Sequence, residues 1–430
     1  MRTSCLAAFI TVVMAGLTPA AAQAQVTFTK DVAPILQNKC QVCHRPETFA
    51  PMSLLTFEDV RPWAKAIKER VMTRMMPPWY IDKNVGIRHF KDDPSLSGEQ
   101  IATIVKWVDS GAPMGNPADM PPPRQFEDLE KWHIAAPDLI VQLPKDVIVP
   151  AKAPDRWVDI EVDPHLTEDR YIQAIETKPI KGFKVGHHAV TSMKNDDDDP
   201  PADARINPQG TFLNEYAVGK NGDVFPEGAG RLIKAGTKIG FNLHLHAIGQ
   251  ETAANVALAL KLYPKGYMPK YVEVSEHAGD AQDLDIPPNA DNVRSDGYTT
   301  LTKPARIISF QPHMHNRGKA QCMEAIYPGG KKVETLSCVS NYQFAWHIVY
   351  LYAEDEQPLL PAGTILHVTS WHNNSASNRF NPDPDNLVTF GQRTIDDMAF
   401  AWVSYYYLSD EDYKQQVEAR KAKKVASAND

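Results

Sequence analysis

Beyond its first residues this chain has no apolar run long enough to cross a bilayer as a helix, which takes about 20 residues. The run at the front, CLAAFITVVMAGL, is itself too short. It follows the positive charge of Arg2 and precedes Ala22-Gln23-Ala24, a small-x-small site, which is the layout of a cleaved export signal. A signal peptide over residues 1–24, a periplasmic or secreted mature chain and no stable membrane span are therefore expected. Blocks of Lys and Arg are also missing. The formal net charge is −8, and losing Arg2 would deepen it by one. An acidic chain without basic blocks argues against nucleic acid or anionic membrane as a partner. The short basic tail KQQVEARKAKK reads as a solvated terminal helix.

Cysteine is scarce, with five in 430 residues. Cys5 lies in the signal, and Cys40 and Cys43 form a motif of their own. Cys322 and Cys338 remain as a pair around the hairpin signal YPGGK, so a disulfide is expected in an exported chain. A two-residue turn at Gly329-Gly330 would set Cys322 opposite Ser337, one residue off; a three-residue turn or a bulge would correct this. No second CxxC exists to complete a zinc site, and no thioredoxin-like βαβ setting surrounds the first.

What is present divides into regions. The length calls for two or three domains. Residues 25–118 read as helical: TFEDVRPWAKAIKERV sets Val60, Trp63, Ala64, Ile67 and Val71 on one face, and SGEQIATIVKWVDSG opens with a Ser97–Gln100 capping box and carries Ile101, Ile104, Val105 and Val108. Residues 119–125 form a Pro-rich linker. From 126 the texture is short β-rich runs between Pro, Gly, Asn and Asp, with a second break near 285. The expected fold class is multidomain: a small all-α domain (25–118), which CQVCH at Cys40–His44 marks as a cytochrome c domain, then two all-β, jelly-roll-like sandwiches (126–285 and 286–410) and a charged tail (411–430). The run NDDDDPPAD reads as a solvated loop, with a calcium site as a weaker option that matches no known spacing.

CQVCH, Cys40 to His44, is the attachment pattern of a c-type haem. Two thiols add to the haem vinyl groups, and the adjacent histidine becomes an axial ligand. A second axial ligand is expected downstream. RMMPPW supplies Met75 and Met76, of which Met76 is preferred, and Met52 is a weaker candidate; Met–His ligation suits electron transfer. The alternative reading is that these are core methionines.

Histidines form a second constellation: His187-His188, His244-x-His246 and His313-x-His315, with His347, His367 and His372 as singles. Residues i and i+2 of a strand share a face, so each HxH pair can offer two imidazoles to one ion. Adjacent His187 and His188 would point apart unless a strand end or bulge intervenes. Imidazole with a thioether suits copper. His347 reads as a core histidine or a group supporting a ligand, with the former preferred. WHNNSASN reads as a self-bonded loop.

These residues carry a resemblance. GHHAV, LHLHAIG, PHMHNRGK and TIDDMAFAWVSYYY, in that order, resemble the ligand segments of the copper type II, ascorbate-dependent monooxygenases, the family of peptidylglycine α-hydroxylating and dopamine β-monooxygenase. The front region is similar to that of bacterial members with an upstream haem domain. The resemblance implies two coppers per chain, one on His187, His188 and His244 and one on His313, His315 and Met398, with His246 the alternative to His244. It implies one haem c on Cys40, Cys43 and His44 with Met76. It further implies an oxidoreductase that hydroxylates a substrate C–H with O2, with His313, His315 and Met398 as the catalytic centre. The partners are then a small-molecule or peptide-like substrate, O2, and an ascorbate-like reductant or redox protein whose electrons enter through the haem. The alternative is a non-catalytic electron-transfer or copper-binding protein. Met314, between the two histidines, is expected to face away.

Overall fold

The structure, a computed structural model, describes residues 25–46, 48, 50–126, 128–129, 131–154, 156–195, 211–217 and 222–429. The expected signal peptide and the Asp-rich run after Asn195 lie outside the described residues.

Short helices open the chain. Thr56 and Ser97 each accept from the backbone N–H three residues on while Asp59 and Gln100 bond back, closing two capping boxes. The helices Ala33–Lys39, Ala64–Met72 and Gly98–Asp109 share an apolar cluster of Phe28, Leu36, Val60, Val71, Ile104 and Trp107. Trp107, outside the expected stripe, is fully buried, and Trp63, expected inside, is 46% exposed.

The helical texture then stops. Pro77 and Pro78 cannot continue a helix, and the following aromatics leave the helical cluster. Tyr80, Ile81 and Phe90 enter the apolar core of the C-terminal β region, with Trp79 packed against it. Asp82 and Ile87 donate backbone N–H bonds to Cys338 and Leu336, and Phe90 bridges to Tyr352.

The rest is mostly strand. Among the described residues there are one twelve-stranded sheet, two four-stranded sheets that form the opposing layers, and a small two-stranded sheet that pairs Asp285–Ile286 with Val388–Thr389. One layer pairs Arg156–Val162, Lys238–Leu245, Gly186–Lys194 and Thr211–Ala217 in that order; its core includes Phe241, Leu243, Val256 and Leu258. The other pairs Val293–Thr300, Ile365–His372, Gly318–Ile326 and Val333–Val339; its core includes Phe310, Met323, Val368 and Tyr405. Both cores press on the same large sheet. Strand Tyr271–Ala278 runs parallel to Ala229–Ile233 and antiparallel to Phe400–Tyr407, joining the two halves.

The expected fold class is thereby corrected. The chain is mostly β, its front helices are short, and no distinct all-α cytochrome c domain precedes two self-contained sandwiches. The reason is physical: the aromatic segment from Trp79 to Phe90 finds its apolar partners on the C-terminal core, and the two β regions share one hydrogen-bonded sheet.

The disulfide is present between Cys322 and Cys338. The hairpin starts in the two-residue-turn register, with Ile326 opposite Val333 and Glu324 opposite Thr335. A register shift between Met323 and Glu324 then places Cys322 opposite Cys338. The bulge supplies the missing residue.

Candidate functional site

The first histidine pair is built by a strand irregularity. Gly186–Lys194 pairs with Lys238–Leu245, and its register slips between Gly186 and His188, so that His188 lies directly across from His244. Their ring centroids are 4.9 Å apart. Trp157, opposite His244 on the next strand, stacks on it at 4.0 Å while remaining 43% exposed. His246 falls just past the strand end, so of the two candidates His244 is the one brought to His188. The His187 backbone occupies the slip, and its side chain lies outside the described residues.

The second pair stands at the end of strand Ser309–His313, which runs antiparallel to Phe400–Tyr407 with His313 across from Phe400. His313 and His315 are 5.4 Å apart, nearly perpendicular. The paired register ends at His313 and Phe400, so His315 and Met398 both lie just past the ladder. The fully buried Asp397 ties the two segments together. Its Oδ1 accepts from the backbone N–H of His315 at 2.7 Å and of Met398 at 2.9 Å, and its Oδ2 from Arg317 at 3.1 Å. Behind it, His372 reaches the Met398 carbonyl at 3.1 Å. Nδ1 of His315 bonds to the Asp396 carbonyl at 3.1 Å, which leaves Nε2 to face outward. Met398 is buried beside Phe390, Phe400 and Trp402. Met314 is buried in the opposite core, where its backbone is bonded both ways to the Tyr342 hydroxyl. Gly318 is required here: a Cβ would lie 2.6 Å from Cβ of Met314 and 2.7 Å from the Tyr342 ring.

The two pairs are not separate. His347 lies 4.4 Å from His188 and 5.7 Å from His313. His277 packs on Phe400 at 3.9 Å and Trp402 at 3.8 Å, with both ring nitrogens buried and without a hydrogen-bond partner. Burial pushes the His277 pKa down to about 3. His313 is held well below the usual histidine range by burial first, then by the neighbouring His315, His347 and His277. Both stay neutral, the form in which imidazole has a lone pair for a metal. His277 was not legible as a site residue, because it is a lone histidine in a β-rich run, and His347 was read with preference as a core histidine.

Among the described residues, no three His, Cys, Asp or Glu side chains form a ready-made metal cluster. The two expected sets each need one donor beyond that search, the His187 imidazole and the Met398 thioether. Imidazoles with a thioether are a donor set whose chemistry suits copper.

The front motif is one tight turn. Cys43 and His44 donate backbone N–H bonds to the Cys40 carbonyl at 3.1 and 2.9 Å. Nδ1 of His44 bonds to the Met52 carbonyl at 3.2 Å, which directs Nε2 outward as an axial ligand requires. Burial, aided by the neighbouring Cys43, pushes the Cys40 thiol up to about 12. The turn fits haem attachment. Of the methionines, Met52 packs with Cys40 in the front cluster, whereas Met75 packs on the C-terminal core; Met76 follows it, its backbone N–H bonded to the Arg70 carbonyl.

A cavity of about 240 Å³ lies between the two β regions, lined by Phe212, Arg231, Glu273, Ser275, Gln311 and Trp402 among others. Ser275 shares a strand face with His277, Gln311 with His313, and Trp402 with Phe400. The cavity therefore opens along the same sheet face as His277 and His313. Gln311 bonds across it to Glu215 at 2.6 Å. Arg231 is paired with Glu273, whose carboxyl burial nevertheless pushes upward. In the loop after Trp371, the Asn373 side chain accepts from Ser375, as a self-bonded loop should.

No protein-family model matches the chain, and no curated protein matches it. Among solved structures it is similar to the major capsid protein P2 from bacteriophage PM2, at 9% identity and a TM-score of 0.25, covering 62% of this chain and 96% of that one. It is also similar to the VP2 subviral particle of infectious bursal disease virus, at 6% identity and a TM-score of 0.20, covering 65% and 73%. Likenesses this weak carry no argument about fold or function.

Proposed function

We propose that this chain is an exported copper- and haem-containing monooxygenase of the type II, ascorbate-dependent kind, which hydroxylates a substrate C–H with O2. The observation that carries the reading is the convergence of His188, His244 and the His313–His315 pair, from three distant segments, on one interface where Asp397 also anchors Met398. A structural role would not require four histidines and a thioether at one interface beside a cavity. His187, His188 and His244 would hold one copper, and His313, His315 and Met398 the other. Copper at these positions and haem on Cys40, Cys43 and His44 would supply one-electron chemistry, with O2 activation at the second copper.

The chain contributes the setting. Burial keeps His313 neutral and able to donate a lone pair. The Asp396 carbonyl fixes the His315 tautomer, and Asp397 fixes the spacing of His315 and Met398. The cavity, with Trp402 as an apolar wall, runs along the sheet face that carries His313 and would take a small substrate there. Water is limited there by Phe400 and Trp402, which strengthens polar interactions within the site.

The test is metal and haem analysis of the purified mature protein, electron paramagnetic resonance for type II copper, and a search for substrate-dependent O2 uptake. Two coppers, one haem, and uptake lost in His313→Ala are expected. Copper without any such uptake would favour a non-catalytic electron-transfer or copper-binding protein, and a zinc-only chain would overturn the reading, since zinc has no redox chemistry.

A further inference from the structure

His347 touches both histidine pairs although neither needs it as a ligand. Its ring lies 4.4 Å from His188, tilted by 37°, and 5.7 Å from His313, tilted by 50°. The loop that carries it is fastened to the second pair. The Tyr342 hydroxyl donates to the Met314 carbonyl at 2.7 Å and accepts from the Met314 N–H at 3.2 Å, between His313 and His315. Phe344 of the same loop lies 5.7 Å from His315 and 5.9 Å from His347. His347 is thus held by the strand of one pair and leans on a histidine of the other. His188 and His313 sit on opposite β regions, so His347 spans the interface between them.

We infer that His347 is a positioning and relay residue. It fixes the approach of the two histidine pairs, and its imidazole provides the aromatic contact through which an electron passes between them. The inference rests on the proposed copper reading. In each transfer the metal at the His188 pair loses one electron and the metal at the His313 pair gains it; His347 keeps its proton and is neither oxidised nor reduced overall. An external one-electron reductant resupplies the first metal, and O2 is the final acceptor.

The experiment uses the full mature chain loaded with copper and reduced by one equivalent of ascorbate, with rapid-freeze paramagnetic resonance following each copper. His347→Leu is expected to keep both coppers with their spectra little changed, while the electron reaches the second site at least tenfold more slowly. His347→Gln, which keeps a polar group across the interface, is expected to recover part of the rate. An unchanged rate in His347→Leu overturns the inference. Loss of one copper also overturns it, because His347 would then be a ligand. An unmodified chain that binds no copper fails the proposed function first, and this inference falls with it. Should His347→Leu not fold, the unmodified chain decides: one equivalent of Cu(II) should broaden the His347 ring resonances, and sharp resonances would overturn the relay.

Discussion

The Asp397 carboxylate accepts a hydrogen bond from the His315 backbone N–H at 2.7 Å, and the same oxygen accepts from Met398 at 2.9 Å. One buried anion therefore sets the spacing between the candidate imidazole and thioether ligands. His372, the Met398 and His315 amides and the Arg317 amide surround it with donors, and that environment holds its pKa below the ordinary carboxylate value despite burial.

Asp397→Asn keeps the shape but turns one acceptor into a donor facing N–H groups. Leaving buried donors unsatisfied costs roughly 1–3 kcal/mol each. A lower denaturation midpoint in urea is expected, with a roughly 10- to 100-fold weaker copper affinity at the second site, the usual cost of losing a group that orients a ligand. Titration of the apo chain with copper measures the second effect separately from stability.

Met398 and Met314 make opposite predictions. Met398→Ala should abolish substrate-dependent O2 uptake and change the copper spectrum of the second site. Met314 lies in the core with its back to the histidines. Met314→Leu conserves volume and should cost less than about 1.5 kcal/mol, with uptake retained. Equal loss in both variants would contradict the assignment.

His277 predicts acid sensitivity. Its folded pKa is lowered to about 3 from an ordinary 6.5 by burial alone. A lowered histidine pKa means the unfolded chain binds the proton first, so stability is full above pH 6.5 and declines as pH falls toward the folded value. Between pH 6.5 and pH 4 this single group should remove up to roughly 3 kcal/mol. Thermal melts of the apo chain across that range should show His277→Leu losing less stability than the unmodified protein.

The Cys322–Cys338 bridge closes a short loop, with a sequence separation of 16. Replacing both cysteines by serine should lower stability by about 3 kcal/mol on the chain-entropy estimate. Denaturation with and without reductant, on both chains, tests this, and the reductant should leave the double variant unaffected.

Several features were legible because they are local. The Ser97 capping box, the need for a one-residue correction by a longer turn or a bulge to bring Cys322 to Cys338, and the burial of Met314 away from His313 and His315 follow from turn chemistry and the two-residue period of a strand. Two adjacent histidines likewise called for a strand end or a bulge, and the structure has the register slip before His188. Trp63 and Trp107 were misplaced because a 3.6-residue stripe was drawn through a short tight turn in one helix and too far round in the other. The expectation of an all-α front domain failed for a related reason: a helical run says nothing about where the aromatics that follow it will be buried.

By itself the sequence determined which side chains can do chemistry here: a CxxCH turn, paired histidines on alternating strand positions, and a distant methionine beside an aspartate. These depend on neighbours a few residues apart, whose geometry the backbone dictates. Only the tertiary structure decided that Tyr271–Ala278 stitches two β regions into one sheet, that Trp79 to Phe90 docks on the far core, and that His188, His347 and His313 meet at one interface. Such contacts arise from pairing strands far apart in the chain, where burial and register select the partner and no local period records the choice.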